Sequence, residues 1–176
     1  MKNFRSARYS VLLAILVAFV GASVGATGTF AAPALSRIPE FSLPDLDGRV
    51  HSGAEFSGKV VVIDFWATWC ATCKETIPKL AEINRANKEK SLVVVGVTVD
   101  KGSDRKIERT GERLGVNYLV LRDKDNQLSE TFGFKGIPSV YVFGRDGKLL
   151  LALPGYDADQ EKTLVDAIAK ALKEVK

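Results

Sequence analysis

Two stretches of the chain are apolar almost without interruption: Val60 to Trp66 (V-V-V-I-D-F-W) and Leu92 to Val99 (L-V-V-V-G-V-T-V). A strand with one wet face alternates apolar and polar positions, so continuous runs of this length predict strands buried on both faces. Between them, Lys74 to Lys90 sets Ile77, Leu80, Ala81 and Ile83 on one side and charged residues elsewhere, which predicts a helix and a parallel strand pair. Tyr118 to Leu121 and Ser139 to Phe143 read as shorter strands, and Arg145-Asp146-Gly147 as a hairpin turn into a last strand, Lys148 to Leu153. After a loop beginning at Asp100 comes a charged helix closed by Gly115. A short helix spans Gln127 to Phe132 and stops at Gly133. Asp159 to Lys176 closes the chain as an amphipathic helix with Leu164, Val165, Ile168 and Leu172 inward. Ahead of the first long strand, Phe41-Ser42-Leu43 and Val50 flank Pro44-Asp45-Leu46-Asp47-Gly48, a small hairpin read as an ordered flap without a function of its own. The order β-α-β-α-β-α-β-β-α predicts an α/β sandwich whose helices cover a mixed central sheet.

The N-terminus breaks this pattern. Met1 to Arg8 carries Lys2, Arg5 and Arg8 and no acid, Tyr9 to Ser36 has no charged residue, and Val11 to Val20 is strongly apolar. That is a secretory leader or a membrane anchor. The uncharged stretch reaches the ~20 residues of a spanning helix, while Gly21, Gly25, Gly28 and Pro33 thin out its second half and Val24-Gly25-Ala26 offers small residues for cleavage. With the basic residues on the N-terminal flank, either form puts the remainder outside the cytoplasm. The chain thus divides into a leader or anchor, residues 1–34, and one domain, 35–176. Its formal charge of +4 comes from 25 Lys+Arg and 21 Asp+Glu. Three of those basic residues and no acid belong to the leader, so the domain carries only +1 and nothing predicts nucleic-acid binding.

The candidate chemistry lies where the first long strand feeds the first helix. Both cysteines of the chain, Cys70 and Cys73, are there as a C-x-x-C pair. A helix N-terminus offers unpaired N–H groups and a partial positive charge, which stabilise a thiolate at Cys70, and Cys73 is near enough to close a small disulfide ring. Zinc would need two further ligands, and His51 is the one histidine. Haem attachment needs a His after the second Cys, where Lys74 stands. A copper-carrying domain needs sulfur or imidazole ligands the chain lacks. A structural disulfide closing so short a loop would constrain the unfolded chain little. The pair therefore predicts thiol–disulfide exchange, with no metal and no cofactor beyond the redox-active Cys70–Cys73 disulfide. Asp64 is costly to bury inside V-V-I-D-F. A carboxyl desolvated below Cys73 would have a raised pKa and could take its proton; the alternative is that Asp64 reaches a polar edge or a lysine.

W-C-A-T-C-K, with Asp64 six residues before Cys70, Pro78 five after Cys73 and Gly136-Ile137-Pro138 further on, resembles the thioredoxin superfamily. The leader, the hairpin, the extra segment from Asp100 to Leu121 and F-G-x-x-G-I-P-S-x-Y-V-F-x-R-D-G resemble its TlpA-like branch, bacterial thioredoxin-like proteins exported or tethered outside the cytoplasmic membrane. The resemblance covers about Ile38 to Val175 and implies a thioredoxin-like three-layer α/β/α sandwich with an N-terminal hairpin extension. It implies that Cys70 is an exposed attacking thiol and Cys73 a buried resolving thiol. Asp64 matches the buried acid, Pro138 the cis-proline facing the disulfide, and Trp69 the indole beside it. A cis bond there would aim the Ile137 backbone at an incoming peptide strand, making Trp69, Ile137 and Pro138 the substrate-binding residues. Thr76 stands where TlpA-like proteins of cytochrome c maturation often have Glu, and Asp64 where many have Asn, which brings the site closer to thioredoxin's own.

The implied activity is exchange with protein disulfides and dithiols, fed by a membrane electron donor, in the bacterial periplasm. Ala71 and Thr72 are uncharged and Lys74 is expected to face solvent, so the reduced form gains little extra stabilisation. A reductase potential of roughly −200 to −270 mV follows. The rival readings are a peroxidase and a non-enzymatic, redox-regulated binding domain. Peroxiredoxins place Thr three residues before the attacking Cys, whereas Ala67 is there and Thr68 is one residue too close. Trp66 is expected in the core, Trp69 at the rim, His51 on the hairpin surface, and Pro78 as a helix kink.

Overall fold

The computed structural model describes residues 35–174. The leader or anchor expected over residues 1–34 lies outside the described residues, and among them no helix is long and apolar enough to cross a membrane. The hairpin is present, pairing β1 (Ser42–Pro44) with β2 (Val50–Ser52). The main sheet comprises β3 (Val60–Trp66), β4 (Leu92–Thr98), β5 (Leu119–Arg122), β6 (Ser139–Phe143) and β7 (Leu149–Pro154). Its order is β5-β4-β3-β6-β7. β3, β4 and β5 run parallel, and β6 and β7 are antiparallel to their neighbours. The continuous apolar runs thus became the two central strands, where both faces are covered.

One face carries Val60, Val62, Asp64 and Trp66 of β3. It lies under α1 (Cys73–Asn87), α2 (Asp104–Leu114) and α4 (Glu161–Lys173), which contribute Leu80, Ile107, Leu164 and Ile168 to its core. The other face, with Val61, Ile63 and Phe65, is closed by the six-residue α3 (Gln127–Phe132) and by Leu43 of the hairpin and Phe56 of the following 3-10 turn. The flap is therefore part of the core: Leu43 and Phe56 are buried. Two expectations shift. Val165 is 43% exposed, because the buried arc of α4 is the narrower Leu164, Ile168, Ala171. α1 ends at Asn87 rather than Lys90: the Asn87 side chain donates to the Ile83 carbonyl, and Ser91 turns the chain at positive φ into β4. Pro78 sits inside α1, which runs unbroken from Cys73 to Asn87.

Every residue of β3 is fully buried, Asp64 included. Full burial of a large apolar side chain is worth ~1.5–3 kcal/mol. The six apolar side chains of β3 together outweigh the several kcal/mol that taking one carboxyl out of water costs. The apolar strand is what holds Asp64 inside. Its partner on β4 is Gly96, and a Cβ there would lie 2.9 Å from Trp66 Nε1 and 3.0 Å from Tyr118, so glycine is what lets these two rings close over the same face.

Candidate active site

After β3 the chain leaves the sheet in a turn that is fastened from the neighbouring strand. The Asp100 carboxylate, buried at the end of β4, accepts the Thr68 N–H at 2.6 Å and the Thr68 hydroxyl at 3.0 Å. Arg122, buried at the end of β5, donates to the carbonyls of Asp100 (3.2 Å) and Gly102 (3.0 Å) and pairs with Asp104 at the start of α2. Burial lowers the pKa of its guanidinium, with the Asp100 charge opposing the shift. In the sequence Asp100 reads only as the start of a loop, and Arg122 carries no expected role. The available signal was a pair of opposite charges closing adjacent strands, V-T-V-D and L-V-L-R.

This clamp delivers Trp69 and Cys70 to the first turn of α1. Cys70 and Cys73 are joined as a disulfide, S–S 2.08 Å. The Cys73 N–H, the first of the helix, donates to Cys70 Sγ at 3.1 Å, and the Thr72 hydroxyl lies 3.5 Å from the same sulfur. Cys73 has no exposed surface and Cys70 only 5%, so the expectation of an openly exposed Cys70 is corrected: its sulfur is a recessed one, under a tight turn. Trp69 is 65% exposed and Trp66 fully buried, as rim and core residues respectively. Thr76 is buried, its hydroxyl donating back to the Thr72 carbonyl.

Asp64 lies on the sheet face that α1 covers. It reaches neither a polar edge nor a lysine: neither oxygen has a hydrogen-bond partner. Burial pushes its pKa up to about 7. Trp66 Nε1 and the hydroxyls of Tyr118 and Tyr156, on the same face, also have no protein partner. Ile137 packs against the cluster that holds Cys70 and Cys73, and the Ile137–Pro138 peptide is cis. The Pro138 carbonyl accepts the N–H groups of Gly155 (2.9 Å) and Tyr156 (3.0 Å). Trp69, next to Cys70 in the chain, lines an open groove of about 620 Å³ together with Phe134 and Ile137, with Glu130 and Lys135 also on its wall. His51, expected on the hairpin surface, is instead largely covered: it is held between Asp45 (3.0 Å) and Glu55 (2.9 Å) at the back of the hairpin. Its pKa is raised, chiefly by the hydrogen bond to Asp45 and then by that to Glu55.

A cysteine pair that closes as a disulfide at a helix N-terminus, over a mixed sheet, is built for thiol–disulfide exchange. The protein is a thiol–disulfide oxidoreductase of thioredoxin-like fold, acting on protein disulfides or dithiols. By sequence it belongs to the AhpC/TSA family, whose model matches residues 35–152. It is 27% identical over 157 residues to the thiol-disulfide oxidoreductase ResA of Geobacillus thermodenitrificans, an alignment covering 88% of this chain and 90% of that protein. ResA of Bacillus subtilis is 28% identical over 120 residues, 68% of this chain and 66% of the relative. Among solved structures, one described as a DsbE thiol:disulfide interchange protein from Chlorobium tepidum superposes with TM-score 0.73 at 29% identity, covering 79% of this chain and 97% of its own.

Proposed function

We propose that Cys70 is the attacking thiol, Cys73 the resolving thiol and Asp64 the proton acceptor of a disulfide reductase working outside the cytoplasm. The observation that carries the assignment is the Cys73 N–H aimed at Cys70 Sγ: the donor that meets the sulfur in the disulfide meets the thiolate after reduction. A free cysteine with pKa ≈ 8.5 is a few per cent ionised at pH 7, and one near ~7 about half. The Cys70 thiolate attacks one sulfur of a substrate disulfide and expels the other as a thiolate. Cys73 then gives its proton to Asp64, attacks Cys70 Sγ, and releases the second substrate sulfur with its electron pair. The substrate gains two electrons and the Cys70–Cys73 disulfide reforms. Trp69 and Ile137 on the groove wall, with Pro138 joined to Ile137 by the cis bond, would hold the substrate strand.

The direction rests on charge. Among the described residues no cation is hydrogen-bonded to Cys70 Sγ, the intervening Ala71 and Thr72 are neutral, and Lys74 is exposed. The reduced form is therefore stabilised by the helix terminus and at most the neutral Thr72 hydroxyl, without a cation, and we assign a potential of roughly −200 to −270 mV. A membrane donor would recharge the pair, and the leader's Lys2, Arg5 and Arg8 ahead of an uncharged stretch support export or tethering. Ala67 at the position where a peroxidase places Thr weighs against peroxidase chemistry.

The test is twofold. Cys73→Ser should trap substrates as mixed disulfides through Cys70, while Cys70→Ser traps none; equal alkylation of both thiols in the reduced protein defeats the assignment. Equilibration with glutathione of known ratio, followed by tryptophan emission, gives the direction, and a midpoint near about −120 mV would make the protein an oxidant.

A further inference from the structure

One helix beside the site sorts its charge by sign. In α2 the bases Arg105, Arg109 and Arg113 follow at intervals of four, with Lys106 beside them, and all four are exposed. The acids Asp104, Glu108 and Glu112 form a second row one residue over. We propose that the basic row is a docking surface for an acidic segment of the protein that exchanges its disulfide with Cys70. The proposal rests on the reading of Cys70 as the attacking thiol.

The arrangement costs the helix stability. Residues four apart are neighbours on a helix surface, so each row sets like charges against one another. Arg105 and Lys106 also stand in the first turn, at the positive end of the helix dipole. Among the described residues none of the four bases is in a salt bridge, and the one hydrogen bond from their side chains runs from Arg113 to the neutral Thr110 hydroxyl at 3.3 Å. The acids are turned elsewhere. Asp104 is taken up by Arg122, while Glu108 and Glu112 line a groove on the other flank of the helix with Asp45 and Asp47. On the basic flank a cleft of about 520 Å³ is lined by the four bases, Ser103 and Thr110, with Glu112 the one acid on its wall. The domain as a whole carries only +1, so the row is a local concentration of charge rather than a sample of a basic surface.

Position ties the row to the exchange reaction. Ile107, between Lys106 and Glu108, is buried in the cluster that contains Cys70 and Cys73. Asp104, one residue before Arg105, is paired with Arg122, which holds the Asp100 carbonyl of the clamp. The row therefore starts at the rim of the site and runs away from it along α2. A protein whose disulfide reaches Cys70 carries its flanking surface over this rim. Guanidinium groups bind carboxylates through paired, forked hydrogen bonds, which suits three arginines in line to acidic side chains. Opposite charge on an approaching partner raises the encounter rate by about 10- to 10³-fold at low salt, and added salt screens the effect. The gain lies in how fast Cys70 meets its substrate, with the chemistry at sulfur untouched.

The probes are three synthetic peptides with the same internal disulfide and flanks of Asp and Glu, of Ser and Gly, or of Lys and Arg, each mixed with the reduced full chain. The readout is the second-order rate constant of the first attack, in ~20 mM and ~500 mM salt. The parent is compared with a triple variant, Arg105→Gln, Arg109→Gln and Arg113→Gln. A control, Lys59→Gln, Lys88→Gln and Lys90→Gln, removes equal charge at the other end of the sheet, where β3 and β4 begin. In the parent the acidic peptide should react about tenfold faster than the neutral one at low salt, and within about twofold of it at high salt, with the basic peptide slowest. The arginine variant should lose the preference and melt at the same temperature or higher, because only repulsions are removed. The lysine control should keep the preference. If the parent shows none, if the control loses it as fully, or if the arginine variant melts lower, the docking surface is wrong and Cys70 stands. A parent that dimerises at low salt or binds phosphatidylglycerol vesicles where the arginine variant does not, with peptide rates unaltered, makes the row a contact for a second copy or for lipid and overturns the proposal. If Cys70→Ser still attacks the peptides, the reading of Cys70 falls and takes the docking surface with it.

Discussion

Asp64 is the residue whose environment makes the sharpest quantitative claim. Its pKa stands at about 7 in the folded protein, against 3.8 for an ordinary Asp, and burial is the cause. A group whose folded pKa is raised contributes stability that is complete below the unfolded pKa and is lost as pH rises through the folded one. Between pH 3.8 and about 7 the unfolded chain is ionised at this position while the folded protein still holds the proton. A tenfold change in an acid's ionisation constant is worth about 1.4 kcal/mol, so the native state forfeits on the order of 4 kcal/mol by pH 8. Asp64→Asn cannot ionise and escapes that loss. Denaturant unfolding of the oxidised proteins, in which neither thiol titrates, should show the variant gaining on the parent with rising pH. The gain should run at up to about 1.4 kcal/mol per pH unit between pH 4 and 7, levelling above pH 7. Other titrating groups are common to both proteins and cancel in the difference, and the fixed cost of an amide in this site shifts the whole curve without bending it. A difference that stays flat from pH 4 to 8 would overturn the claim, since it means that Asp64 ionises in the folded protein as easily as in the unfolded one.

Two further outcomes follow from the residues around the site and behind it. Asp100→Asn turns an amide NH₂ toward the Thr68 donors and should cost ~2–3 kcal/mol, the worth of hydrogen bonds to a buried charge, while slowing Cys70 alkylation in the reduced protein; an unchanged unfolding midpoint would dismiss the clamp. His51→Gln tests the hairpin: the raised pKa of His51 gives stability that is full below pH 6.5 and is lost as pH climbs through the higher folded value, so the margin of the parent over the variant should be larger at pH 5.5 than at pH 8, and equal margins at the two pH values would show that His51 binds its proton no more tightly in the fold than in the unfolded chain.

Local signals carried much of this molecule. Hydrophobic runs marked β3 and β4 to within a residue, Gly115 and Gly133 marked the ends of α2 and α3, and the spacing of Cys70 and Cys73 named the chemistry. Each of these depends on residues within a few positions of one another, so the chain order suffices to read them. The hairpin was visible as an element but not as a lid on the second sheet face, because only packing shows that the short α3, with Leu128 and Phe132, leaves part of that face for Leu43 and Phe56 to cover.

The fold class, the strand–turn–helix that holds the cysteines, and the presence of an acid within a buried strand were all legible in the order of residues. What surrounds them was not, because it is assembled from distant parts of the chain. Asp100 and Thr68 are 32 residues apart and meet because β4 lies parallel to β3 and ends level with it. Arg122 joins them from the next strand over. Tyr156, far along the chain, comes to the Asp64 face because β6 and β7 run back beside β3, and the turn after β7 lands on the Pro138 carbonyl. Sheet register sets such meetings, and register is a property of the assembled strands: Asp64 is unsatisfied only once Val140, Gly96 and α1 have shut water away from it, and no local pattern in V-V-I-D-F records which neighbours will do so.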